Sequence, residues 1–108
     1  MIGRLMTMSA EPGKGGELAA VLLSVAQRLR GFPGCEIYLI SQDAADPDTV
    51  HVTEVWRDDA SAQAALAASS RAGGPTPGDV VALLSSAPHR TDLIVLGGVG
   101  LPNADDQP

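Results

Sequence analysis

Apolar and polar residues recur along this chain with two different periods, and the switches between them predict its elements. Ile2 to Ser9 is apolar and β-compatible, with Arg4 and Thr7 interspersed, and reads as a first strand. Pro12-Gly13 and Gly15-Gly16 then break the pattern. From Glu17 onward, Leu18, Leu22, Val25 and Leu29 recur at i, i+4, i+7 and i+11, which is one face of a helix. Arg28 and Arg30 fall in its last turn, where the helix dipole favours cations, and Gly31 stands just past its end.

Cys35 to Asp43 carries Ile37, Tyr38, Leu39 and Ile40 in succession and reads as a buried strand. Asp43 to Asp48, with Pro47, is a turn. Thr49 to Trp56 alternates: Val50, Val52, Glu54 and Trp56 share one parity, and His51, Thr53 and Val55 share the other. The short connection predicts an antiparallel hairpin for these two strands.

Asp58 or Asp59 can cap a second helix over the alanine-rich Ala60 to Ser69, whose apolar face is shallow. Arg71 to Gly78 is a Gly/Pro break. Thr76-Pro77-Gly78-Asp79 within it has the form of a helix start: a capping hydroxyl, proline at the first helical position and an acid at the third. The helix it opens, with Val80, Val81, Leu83 and Leu84, is short and apolar. Asp92 to Leu96 is expected as the last strand, ended by Gly97-Gly98-Val99-Gly100. Residues 101–108 are expected to be a disordered tail, which leaves residues 1–100 as a single domain.

The order βαββα(α)β is that of an α+β, ferredoxin-like unit with a four-stranded antiparallel sheet. Helices on one face leave the other open, yet both strand parities carry apolar residues. A second copy is the simplest cover, so the expected assembly is a homodimer.

Composition narrows the chemistry. Hydrophobic residues make up 44% of the 108, but aromatics only 3%, so Ala, Val and Leu fill the core and Phe32, Tyr38 and Trp56 stand out singly. A net charge of −6 argues against nucleic acid as a partner, because that affinity rests on Lys and Arg neutralising phosphates. No run of about 20 apolar residues is present to span a membrane. Met1 to Met8 lack a long apolar stretch with a small-residue cleavage site, so a cytoplasmic location is expected. One cysteine, Cys35, allows no internal disulfide. No His or carboxylate pair has metal-ligand spacing, so no metal is expected. Gly97-Gly98-Val99-Gly100 leads into no predicted helix, which removes it as a dinucleotide fingerprint.

Several segments together carry a family likeness. They are Glu11-Pro12-Gly13-Lys14, Gly31-Phe32-Pro33-Gly34-Cys35 followed by Tyr38, the turn Asp46-Pro47-Asp48, and Glu54-Val55-Trp56. With them the chain resembles the antibiotic biosynthesis monooxygenase family over roughly residues 2 to 70. The resemblance implies a dimeric α+β barrel that oxidises phenols or quinols with O2 and no cofactor. It implies that Trp56 lines a cavity between sheet and helices and touches a small aromatic substrate. Tyr38 would bind a substrate oxygen, and Glu54 or His51 would move the proton.

Each of these residues also has a structural reading. A strand-end tryptophan is an ordinary core filler, and tyrosine suits a pleated, half-buried surface. Glu54 on an interior face must be paired or take up a proton, and Arg4 or Arg57 could serve as its partner. His51 has the parity opposite to Trp56, toward the dimer side, and His89 is expected to be exposed. The likeness is incomplete. Polyketide oxidases of this family have asparagine four residues before the tryptophan and tyrosine six after it, where this chain has Val52 and Ala62. Residues 60 to 87 contain no histidine to serve as an axial haem ligand, which disfavours the haem-degrading branch. A non-oxidative ligand-binding or cyclase-type barrel is the alternative.

Overall fold

The computed structural model describes residues 1–71 and 74–101, with the side chains of 70 and 71 excepted. Its elements are β1 (Ile2–Ser9), α1 (Gly15–Arg28), β2 (Cys35–Gln42), β3 (Thr49–Trp56), α2 (Asp59–Arg71), α3 (Pro77–Val81) and β4 (His89–Ile94). The strands form one antiparallel sheet in the order β2-β3-β1-β4. This is the expected ferredoxin-like α+β architecture.

Register decides which side chains face the helices. Ile2, Arg4, Met6 and Met8 of β1 lie opposite Trp56, Glu54, Val52 and Val50 of β3. On the helix side, Leu18 and Leu22 of α1 pack with Val50, Val52 and Met8 in one buried cluster. Leu29, Trp56, Ala62 and Ala65 form a second, with Phe32, Cys35 and Tyr38 against it. The parity expected for β3 therefore holds, with Val50, Val52 and Trp56 at 0, 1 and 2% exposure.

The other face is open. Leu5, Leu39 and Leu93 stand on it, each between 39 and 54% exposed. Apart from Glu36, the extra residue of a bulge in β2, its strand positions carry no Asp, Glu, Lys or Arg among the described residues.

Boundaries differ from the sequence expectation at two places. β4 runs from His89 to Ile94 rather than Asp92 to Leu96, because β1 pairs it from Thr7 back to Ile2 and so dictates its span. Only Val95 continues the pairing, through its N–H to the Met1 carbonyl. α1 begins at Gly15 rather than Glu17 and ends at Arg28, which leaves Arg30 outside it. The early start comes from the β2–β3 turn. Asp48 accepts the free amides of Gly13 and Gly15 at 3.1 and 3.0 Å, capping α1 from another part of the chain. The capping box over Thr76 and Asp79 forms as expected. The expected tail lies outside the described residues beyond Leu101, as do residues 72 and 73 of the Gly/Pro break.

Gly15 lies directly against the turn, where a methyl group would overlap the Pro47 carbonyl. Two substitutions test this contact by urea unfolding. Asp48→Ala removes the cap and should cost about 1 kcal/mol. Gly15→Ala forces backbone rather than a side-chain tip to move and should cost more, about 1–3 kcal/mol.

Candidate active site

The site is built where β3 passes beneath the helices. Alternation places Val52, Glu54 and Trp56 on one line, and Trp56 is buried among Leu29, Phe32, Ala62 and Ala65. Its indole Nε1 donates to Glu54 Oε1 at 2.9 Å, which fixes a half-buried carboxylate against the ring. Tyr38 is the cross-strand partner of Glu54. It reaches that face because of the bulge. Cys35 pairs with Trp56, Ile37 with Val55, and the extra residue Glu36 re-aims everything after it. Burial pushes the Tyr38 hydroxyl above its ordinary value of 10.0, with the charges of Glu54 and Cys35 adding to the effect. At neutral pH Tyr38 is therefore a hydrogen-bond donor and not a base.

The loop before β2 closes one end. Gly34 has φ 84°, and a side chain there would run into Ser61 at the start of α2. Its carbonyl accepts the Arg57 amide at 2.8 Å, which draws Phe32 and Cys35 onto Trp56. α2 begins at an Asp58 cap, whose Oδ1 accepts from the Ser61 amide at 2.8 Å and hydroxyl at 2.7 Å.

Sheet and helices enclose a cavity of about 510 Å³. Arg4, Met6, Met8, Tyr38, Val52, Glu54 and Trp56 form the sheet side. Leu22, Val25 and Leu29 come from α1, Ala62, Gln63, Ala65 and Leu66 from α2, and Thr76, Pro77, Val80 and Val81 from α3 and its start. Leu66 and Val81 are more than half exposed and mark its mouth. A mostly apolar chamber of this size with a few convergent polar groups has the form of a small-molecule site.

Three of the four expected site residues, Glu54, Trp56 and Tyr38, meet in this cavity. His51 does not. It lies on the open face, with Nδ1 3.2 Å from Thr7 Oγ1 and Nε2 3.8 Å from Asp43 Oδ2. Glu54 is also not tied to Arg4, whose Nη2 donates to Asp59 Oδ1 at 3.3 Å. Arg4 and Arg90 on the cavity wall were not anticipated as site residues. The available signal was parity, since Arg4 shares its strand face with Ile2, Met6 and Met8, where an arginine is out of place. Among the described residues no three His, Cys, Asp or Glu side chains are placed to hold a metal ion. No helix among them is long and apolar enough to cross a membrane.

Comparison with known proteins bears on this geometry. The family model for antibiotic biosynthesis monooxygenases matches residues 1–71. A candidate antibiotic biosynthesis monooxygenase from Chloroflexus aurantiacus J-10-fl is 30% identical, with a TM-score of 0.73 over 94% of this chain and 98% of its own. Similarly described structures share the fold at lower identity. The one from Nitrosomonas europaea has 16% identity and a TM-score of 0.76 over 90% of this chain and 100% of its own. The one from Deinococcus radiodurans has 23% and 0.71 over 95% and 100%. No curated protein matches.

The α2 wall has a pH signature. The Ser61 hydroxyl and amide hold the Asp58 carboxyl below its ordinary 3.8. A group with a lowered folded pKa stabilises the fold above the unfolded value and loses that contribution as pH falls through the folded one. Far-ultraviolet circular dichroism should therefore show helix lost below about pH 3.8, and Asp58→Asn should flatten that acid limb.

Proposed function

We propose, from the premise that this chain belongs to the antibiotic biosynthesis monooxygenase family, that it oxidises a quinol or polycyclic phenol to a quinone with O2 and without a cofactor. The observation that carries this reading is the hydrogen-bonded Glu54–Trp56 pair on the wall of an apolar cavity of about 510 Å³. A flat ring system enters between α2 and α3 and lies against the indole. Glu54 Oε1 is engaged by Trp56, which leaves Oε2 to take the proton of a substrate hydroxyl. Tyr38, held protonated, donates to a substrate oxygen.

The phenolate is electron-rich and passes one electron to O2, giving a phenoxyl radical and superoxide. The pair combines at a ring carbon opposite the hydroxyl. The resulting peroxide takes back the proton held by Glu54. The ring hydrogen then leaves as a proton and the outer oxygen as hydroxide, together one water, as the O–O bond breaks, and the inner oxygen atom remains as the new carbonyl. Phenol plus O2 thus becomes quinone plus water, with all four electrons drawn from the substrate. Apolar walls keep water from the radical pair while it combines.

A second reading, a non-oxidative ligand-binding or cyclase-type protein, is favoured by Val52 and Ala62. Both are buried on the cavity wall where polyketide oxidases have amide and phenol groups. Oxygen uptake by the purified protein with a dihydroxynaphthalene separates the two. The oxidase reading expects uptake well above autoxidation, falling about 10²-fold or more in Glu54→Gln. Uptake equal to autoxidation, with the ligand still bound, leaves the second reading.

The cavity-bearing subunit is proposed to work as a homodimer through the open sheet face. A surface whose one charged strand residue is Glu36 at the β2 bulge, with leucines in its middle, is suited to burial against its own copy. Sedimentation should give twice the 11.0 kDa chain mass, and Leu39→Asp, which places a charge on that face, should give the monomer.

A further inference from the structure

Arg4 occupies a place in the cavity that the reaction above leaves without a task. Tyr38, Glu54, Arg4 and Asp92 are successive cross-strand partners, so Arg4 stands in the middle of a polar row running across the sheet beneath the helices. Its side chain is 19% exposed, against 50% for Arg90, the other cation on the cavity wall. Arg90 turns its Nε to Asp92 at 2.7 Å. Arg4 itself meets Asp59 with one nitrogen at 3.3 Å, and that carboxylate is 67% exposed. Such solvent-facing pairs hold weakly and exchange readily. A guanidinium has five N–H donors in a fixed fork, so one long contact leaves it able to bind an anion.

We propose that Arg4 is the residue that holds the ionised oxygen of the substrate; this rests on the cavity being where the phenol binds. When the proton passes from the hydroxyl to Glu54, one negative charge moves from carboxylate to phenolate and the total is unchanged. Arg4, beside Glu54 in the register, faces that charge in either position. Tyr38 can donate a hydrogen bond there but brings no charge, and Glu54 is neutral once it holds the proton. Between walls of Met6, Leu22, Val25 and Leu29 the cation acts more strongly than it would in water. Asp59, on the solvent side, competes with the substrate for the same fork.

The test uses a hydroxyanthraquinone, a dye already at the quinone level whose phenolate absorbs at longer wavelength. Titrated by absorbance with the full chain, the bound dye should ionise at lower pH than free dye. Arg4→Met should weaken the bound dye's ionisation constant about tenfold or more, and Arg4→Lys should keep part of the effect. Asp59→Asn should act in the opposite direction and strengthen ionisation. Were Arg4 merely a tie between β1 and α2, removing either partner would act alike. That result, or an ionisation constant unmoved in Arg4→Met, overturns the proposal. Thermal unfolding checks the variants, and if Arg4→Met does not fold, the opposed signs of Arg4→Lys and Asp59→Asn decide. Oxygen uptake is read separately. A protein that shifts the dye and consumes no oxygen keeps the anion site and loses the oxidase reading. One that consumes oxygen but leaves the dye unmoved keeps the oxidase reading and loses Arg4.

Discussion

A carboxylate beneath a layer of aliphatic helices persists only where its oxygens are satisfied, and the Trp56 indole does this for Glu54 at 2.9 Å. The bond demands that residues 52, 54 and 56 all turn inward. A slip of one residue in β3 would replace them with His51, Thr53 and Val55 and leave both groups outside. β3 is protected from that slip by its central place, with β1 and β2 paired along its whole length on either side. The bulge at Glu36 then brings Tyr38 to the same row, so Glu54, Trp56 and Tyr38 reach the cavity through one register.

Why space remains beside that row follows from the scarcity of large side chains. All three aromatic residues, Phe32, Tyr38 and Trp56, gather at one end of the sheet, and the rest of the interior is aliphatic. α2 approaches with Ala62 and Ala65, which bury cleanly but reach only a short way. Leu18 and Leu22 of α1 fill the space over Val50 and Val52. The space between the two helices and β1 is left as part of the cavity of about 510 Å³. A cavity that evolution had no use for would be filled by one leucine or phenylalanine on α2, at a gain in stability from the added burial.

Much of this was legible in the sequence, and the rest was not for identifiable reasons. Strand alternation placed Trp56, Glu54 and His51 on their correct faces, because a period of two leaves no freedom once one face is buried. Thr76 and Asp79 announced their capping box through local chemistry alone. The ends of β4 and α1 were missed because they depend on distant segments: β1 decides where β4 pairs, and Asp48 decides where α1 begins. Tyr38 came in through the family resemblance alone, because the bulge that turns it toward the cavity cannot be located from single-sequence parity. Arg4 was set aside as a partner for Glu54, since its place on a cavity wall arises only when residues of α1, α2 and α3 come to face β1.

The distribution of charge between the two sheet faces ties these points together. Arg4 and Glu54 stand under the helices, with Arg90 and Asp92 on the same face at the exposed β4 edge, whereas the open face has leucines, threonines and two histidines. An isolated domain would be expected to show the reverse, with ionised groups on the solvated side. The inversion has one economical explanation on each side. Under the helices Arg4 and Glu54 border a solvent-connected cavity, so neither charge is fully desolvated there. Apart from Glu36 at the bulge, fixed charges are absent from the open face, which suits its proposed burial against a second copy, since hydroxyls and leucines can be covered without desolvating a fixed charge. The candidate site and the proposed assembly surface thus follow from the same strand alternation, read from opposite sides of one sheet.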